Sequence, residues 1–263
     1  MTFQPVVAGA GIVGWKFLQS TYVKQFEAFS KSPQLARDST YFLENIGNVT
    51  SAKELVDDRQ LLSVALGAFG LQDDINNKYF IQKILSDGVS DDDALANKLA
   101  DKRYRKLSEA FGFGPGEIRQ TANINAMLNV AAKNQVEEFE IAVGETDQTM
   151  RVALYAQHEL VEVVGGEQSE RTKWFTVLGL PPLREVFEVA LGLPSGIGQV
   201  DIDQQVDIFQ DRFRSVLGIS DLSSVSDADV MERLTNLYLA RSQIQNFSAA
   251  TSSGAIALQL LQS

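Results

Sequence analysis

The chain has 263 residues, 44% hydrophobic and 22% charged, proportions of an ordinary globular protein large enough to bury most of the surface its unfolded form exposes. Cysteine is absent, which excludes disulfides, thiolate catalysis and cysteine-ligated zinc or iron–sulfur centres. The formal net charge of −11 repels phosphate backbones and anionic lipid, so neither nucleic acid nor a membrane surface is an expected partner.

The first apolar stretch, Val6 to Trp15, falls short of the roughly 20 residues that span a bilayer. No basic segment precedes it, so a cleaved secretory signal is not expected. It contains Gly9-Ala10-Gly11-Ile12-Val13-Gly14, which satisfies the Gly-x-Gly-x-x-Gly spacing of dinucleotide-binding turns. That chemistry needs a buried parallel strand feeding a helix whose N-terminus faces a pyrophosphate. Pro5 stands where the strand would run, and Gln19 to Lys31 is polar and helical where a second strand ending in an acid is required. The expected role is a flexible or close-packed arm.

Helical periodicity dominates the rest of the chain. Trp15, Leu18, Tyr22, Phe26 and Phe29 predict a first helix, interrupted at Pro33; a second runs from about Gln34 to Ile46. Ser51 with Glu54 has capping-box spacing. Leu61 to Phe69 is apolar on nearly every face, as in a helix at the centre of a core. Asp73 or Asp74 is expected to cap a helix ending at Gly88, and Ser90-Asp91-Asp92-Asp93 to open the next. Lys102, Arg103, Arg105 and Lys106, with Tyr104 among them, read as a solvated basic face. Phe113-Gly114-Pro115-Gly116 is a turn. Glu117 to Val143 and Thr146 to Val164 predict two long helices joined as an antiparallel hairpin. Leu178-Gly179-Leu180-Pro181 and Leu191-Gly192-Leu193-Pro194 each end a helix. The last clear helix spans Asp227 to Phe247, and small residues run from Ser248 to Gly254.

Val-Ala-Leu-Gly occurs twice, at Val64–Gly67 and Val189–Gly192, and Ser226-Asp227-Ala228-Asp229 repeats the form of Ser90–Asp93. A diverged internal duplication with a short insertion accounts for both echoes. The expected fold is therefore all-α, with two related helical lobes and a long hairpin between them, in one compact unit. Residues 1–14 form a flexible arm, 15–114 the first lobe, 115–166 the hairpin, 167–247 the second lobe and 248–263 a tail.

No constellation of catalytic residues emerges. His158 is the only histidine, lies within a predicted helix and has no nucleophile-elbow pattern to serve. Asp201, Asp203, Asp207 and Asp211 fail as a calcium loop, since Val206 and Arg212 stand where glycine and glutamate are needed. Glu137, Glu138 and Glu140 read as the acidic side of an exposed helix. Catalytic, cofactor-binding and metal-binding residues are accordingly expected to be none.

The run Asp38-Ser-Thr-Tyr41-Phe42 with Glu54-Leu55-Val56, Asp58-Arg59, Leu61-Leu62, Val64-Ala65-Leu66 and Ala68-Phe69-Gly70-Leu71 resembles an uncharacterised bacterial family of helical proteins, the domain of unknown function 1217. Asn77-Lys78, Phe80-Ile81, Trp174-Phe175 and Pro181-Pro182-Leu183-Arg184 extend the likeness from about Phe17 to Phe247. Members are often encoded among flagellar genes. The resemblance implies a non-enzymatic structural or assembly protein, cytoplasmic or flagellum-associated, working by protein–protein contacts with rod or hook components or by self-association through pliable ends. The competing expectation is a small-molecule-binding protein or enzyme with a site between the two lobes, to which Asp58, Arg59 and Arg184 would contribute.

Overall fold

Every regular element is helical. The computed structural model describes the backbone of residues 3–261 and the side chains of residues 3–248. Among these residues there is no strand, and the fold is all-α. Short 3-10 turns interleave with α1 (Gly11–Ser30), α2 (Pro33–Asn45), α3 (Ala52–Asp57), α4 (Arg59–Gly67), α5 (Lys78–Asp87), α6 (Leu95–Lys98), α7 (Arg103–Phe111), α8 (Ile124–Gly144), α9 (Gln148–Val164), α10 (Glu170–Leu178), α11 (Pro181–Leu191), α12 (Ile202–Leu217) and α13 (Ala228–Leu261).

The chain divides into two units, but not at the loops where sequence alone divides it. The first comprises Met1–Pro5 and Thr21–Ala142, the second Val6–Ser20 and Val143–Ser263. Besides the division between Pro5 and Val6, in the segment read as an arm, one falls inside α1 and one near the end of α8, within segments read as a first lobe and a hairpin. A helix crossing a division carries no composition change there, because its periodicity continues while the residues it packs against change.

In the first unit, α4 is the central helix, with Leu61, Leu62, Val64, Ala65, Leu66 and Gly67 all buried. Around it gather Phe42, Leu55, Ile81, Leu85, Leu107, Phe111 and Met127. Each such side chain contributes about 1.5–3 kcal/mol on leaving water. Phe139 of α8 receives Tyr22, Phe26 and Phe29 edge-on, with ring centroids 5.3–5.6 Å away. Asp58 caps α4 by accepting from the Gln60 and Leu61 amides at 2.9 and 3.0 Å, and its other oxygen accepts the Tyr41 hydroxyl at 2.8 Å. The Ser51 cap forms, but Glu54 returns its carboxylate to the Thr50 amide (2.7 Å), one residue earlier than the usual box.

Three expectations in this unit are corrected. Asp73 and Asp74 lie in a 3-10 turn, Gln72–Asn76, and do not cap α5; Asp74 accepts instead from Asn77 and from the Tyr104 hydroxyl. Ser90–Asp93 opens no helix. The Glu117 carboxylate takes the Val89 and Ser90 amides at 2.6 and 3.1 Å, Asp91 closes a turn on the Asp93 amide, and α6 begins only at Leu95. For the same reason no helix starts at Glu117. Its side chain is drawn to the Gly88–Ser90 segment, and Thr121 Oγ1 donates to the Val49 carbonyl at 2.7 Å. Such bonds compete with helix until Ile124. Gly114 allows the close approach, since a Cβ there would stand 2.4 Å from Gly88 Cα.

In the second unit, α11 packs against α9, α13, α10 and α12. Trp174 sits at its centre, with Phe187, Phe213 and Phe209 at 5.2, 5.4 and 6.3 Å. Pro181 occupies the first turn of α11, where a missing N–H is harmless. Asp227 caps α13 through the Asp229 and Val230 amides. Gly11–Gly14, assigned from sequence to a flexible arm, is the first turn of α1. Gly14 abuts the Gly9 carbonyl, and Gly11 abuts the Gln243 amide of α13.

The two Val-Ala-Leu-Gly copies do different things, and the duplication is not confirmed. Gly67 is helical and makes room for Asn134, whose Oδ1 lies 2.0 Å from where a Gly67 Cβ would stand. Gly192 is a left-handed C-cap (φ +65°) next to Arg241. With Ser90–Asp93 and Ser226–Asp229 also dissimilar, neither echo marks equivalent places.

Candidate interaction surface

On the second unit, an exposed stretch of α13 runs from Gln243 to Ser248. This helix has 34 residues. Met231, Leu234, Thr235, Tyr238, Leu239 and Ser242 recur at threes and fours and are buried, which seats the first half on the unit. Tyr238 anchors that seat. Its hydroxyl donates to Glu185 Oε1 at 2.9 Å, and burial and the Glu185 charge raise its pKa. Arg241 Nη1 donates to the Ala190 carbonyl at 2.8 Å, satisfying an end of α11. Burial then stops. Gln243 to Ser248 are all exposed, with Ile244 65% and Phe247 73% accessible.

A second row, Leu237, Ala240, Ile244 and Phe247, follows a three–four alternation and lies on the side of the helix away from the buried row. From Ser242 to Ser263 the sequence contains no charged residue. On the first unit a smaller exposed apolar pair, Ile124 and Leu128, sits one turn apart on α8.

Residues singled out by sequence are spent internally. Gly9 and Gly11 adopt positive φ and form a turn into α1, with no strand before it among the described residues. His158 is half-buried on α9, its ring 5.2 Å from that of Tyr155 and edge-on to it. Asp201 caps α12; Asp203 and Asp207 pair with Arg171 at 2.9 and 2.7 Å, and Asp211 with Arg214 at 3.9 Å. Asp58 is a cap, Arg59 reaches Asn76 at 3.2 Å, and Arg184 binds Glu188 and Gln205 at 2.7 Å each. The basic run is likewise engaged: Arg103 pairs with Asp101 and donates to the Gly70 carbonyl (2.6 Å), Arg105 holds Glu109, Lys102 donates to the Leu99 carbonyl, and Tyr104 meets Asp74 and the Phe80 ring.

The acidic run on α8 is a correction. Glu137 and Glu140 are buried and Glu138 half-buried, where an exposed face was expected. Burial, and then the nearby Asp38 charge, raise the Glu138 pKa. Glu137 Oε2 and Arg103 Nη1 converge at Gly70, both within 3.5 Å of where its Cβ would stand. Burial and the Glu140 charge likewise raise the Tyr22 pKa. Glutamates three or four apart read alike in sequence whether solvated or enclosed. The signal that separated them was the flanking Phe139 and Val143, apolar on the same turns.

Among the described residues the architecture is that of an all-helical, two-unit protein ending in a long helix, α13. A family described as a protein of unknown function (DUF1217) matches residues 68–231, and the chain belongs to that family. It is similar to a crystal structure of a structural-genomics protein from Agrobacterium tumefaciens, with 27% identity and a TM-score of 0.71 over 89% of this chain and 96% of that one. Among proteins of curated function no relative matches it. Among the described residues, no helix is long and apolar enough to cross a membrane.

Proposed function

We propose that this protein is a non-enzymatic structural or assembly component associated with the bacterial flagellum, and that it acts through protein–protein contacts made by the end of α13. The observation that carries the reading is the exposure of Gln243 to Ser248, with Ile244 and Phe247 among them, while the backbone of the helix continues to Leu261. A helix in water draws most of its stability from packing. Asn246, Ser248, Thr251, Ser252, Ser253 and Gly254 are weak helix formers, so this segment has little intrinsic reason to be helical alone. Contact with a partner supplies the missing packing. The flagellar setting comes from the company that family members keep in their genomes. Asp58 and Asp201 act as helix caps, and Asp203, Asp207 and Arg184 stand in ion pairs.

The test is deletion of the gene in the bacterium that carries it, with complementation by the full chain and by a chain ending at Phe247. Deletion is expected to impair swimming and basal-body assembly, and only the full chain is expected to restore them. Normal swimming with normal basal bodies in the deletion strain refutes the reading.

A further inference from the structure

We infer that Glu170 and Asp221 share a single proton, and that this makes the joint between α10 and the 3-10 turn Leu222–Ser226 a pH-responsive clasp at the root of α13. The joint lies within the second unit and is independent of what the end of α13 contacts.

Glu170 opens α10, and Leu222–Ser226 is the turn that leads into the Asp227 cap of α13. One oxygen of Glu170, Oε1, takes both nearby N–H donors, Trp174 Nε1 at 3.0 Å and the Leu222 amide at 2.6 Å. The second bond brings the preceding residue, Asp221, alongside, and the two carboxyl groups are hydrogen-bonded to each other. Ionised carboxylates are acceptors only, so a bond between two of them requires a proton on one. The surroundings decide which. Asp221 Oδ1 accepts the Ser223 amide at 2.8 Å, and the Ser223 hydroxyl also donates to that carboxylate. Lys173 Nζ in turn donates to Ser223 Oγ at 2.7 Å. Asp221 therefore holds the negative charge and Glu170 the proton.

Charge balance agrees. Lys173 is 9% exposed, and its ammonium acts on Asp221. One ammonium balances one carboxylate and leaves a second without a counterpart. Neighbouring cations are committed elsewhere: Arg171 to Asp203 and Asp207, Arg184 to Glu188, Arg212 to the Leu191 carbonyl and Arg233 to the Leu217 carbonyl. The buried charged residue of α9, which packs on this turn, is itself an acid, Glu159, and the start of α13 adds Asp227 and Asp229. Asp221 is exposed, so the pair exchanges its proton with water. Rising pH removes that proton, sets two like charges within hydrogen-bonding reach and loosens the joint.

The experiment is an NMR titration of the full chain with isotope-labelled tryptophan, following the Trp174 indole N–H with Trp15 as reference. Hydrogen exchange of residues 222–226, corrected for its intrinsic pH dependence, is measured alongside. The Trp174 resonance is expected to shift in one step centred above pH 4.5, and exchange is expected to become faster across the same step. Glu170→Gln keeps the Oε1 acceptor and gives Asp221 a permanent N–H donor, so the step is expected to vanish and corrected exchange to stay constant. Asp221→Asn removes the acceptor of the shared proton, and the step is expected to move down by about one unit or more. A native step at or below pH 4.5, or no step, overturns the inference. So does a step that persists in Glu170→Gln, or one that a folded Asp221→Asn leaves in place; the native and Glu170→Gln titrations decide the matter by themselves. The flagellar reading is decided separately, by motility of the deletion strain.

Discussion

Gly67 is the position where packing and helix propensity oppose each other most sharply. In Gly67→Ala the new methyl carbon would stand 2.0 Å from Asn134 Oδ1 and 3.2 Å from its Cγ. Asn134 is 3% exposed and its Oδ1 has no hydrogen-bond partner, so the amide is held by shape. Propensity favours alanine over glycine within a helix by about 1 kcal/mol. Overpacking a close-packed core costs about 1–3 kcal/mol, and an overlap this deep belongs at the upper end. The expected net loss is about 2 kcal/mol. Removing the obstruction reverses the sign. In an Asn134→Ala background the nearest remaining atom is Glu138 Oε1 at 3.7 Å, ordinary contact, and Gly67→Ala is expected to stabilise by up to about 1 kcal/mol. Urea unfolding of the four members of the cycle, monitored by circular dichroism, should therefore show a coupling of about 3 kcal/mol with unchanged m-values. Additivity within about 0.5 kcal/mol refutes the reasoning. Gly192→Ala supplies the contrast: its backbone is left-handed, so shortening Arg241 does not rescue it.

Two further predictions concern the second unit. Glu170 Oε1 accepts from Trp174 Nε1 at 3.0 Å and from the Leu222 amide at 2.6 Å, and burial, together with the neighbouring Asp221 carboxylate, raises its pKa above its ordinary 4.5. A raised value means that the fold favours the protonated acid, so this contribution is present below pH 4.5 and lost as pH rises through the raised value. Asp221, lowered mainly by the Ser223 amide, acts oppositely: its contribution is present above its ordinary 3.8 and lost as pH falls through the lowered value. Glu170→Gln keeps an acceptor for the indole and can donate to Asp221, so it should flatten the fall in stability above pH 4.5, read by Trp174 fluorescence in urea titrations; an unchanged slope counts against it. Tyr238→Phe removes the hydroxyl donated to Glu185 from a fully buried site and should destabilise by about 1–3 kcal/mol, measured by the urea midpoint.

The candidate surface was partly legible in the sequence. The small-residue tail from Ser248 was visible. The helix was expected to end at Phe247, because serines, threonine and glycine lower propensity over that stretch; it runs to Leu261. The burial of Glu137 and Glu140 was hinted at only by the apolar Phe139 and Val143 on the same turns, for a different reason. Charge is a property of the residue, whereas enclosure is a property of what stands opposite, and nothing adjacent in sequence names the opposing helix. The repeated Val-Ala-Leu-Gly misled through the same gap: four identical residues were matched to two different surroundings, an asparagine amide facing Gly67 and a helix end at Gly192.

Local chemistry by itself determined that this chain is helical, where its apolar faces lie, and that Ser51 sits at a helix start. Those properties arise from spacing along the chain and from groups a few residues apart, so neighbours suffice to dictate them. Only the tertiary structure decided which helices share a core, that unit divisions fall within α1 and near the end of α8, and that Gln243 to Ser248 of α13 stand exposed. Each of these depends on contacts between residues tens of positions apart, and periodicity reports that a face is apolar without reporting what covers it.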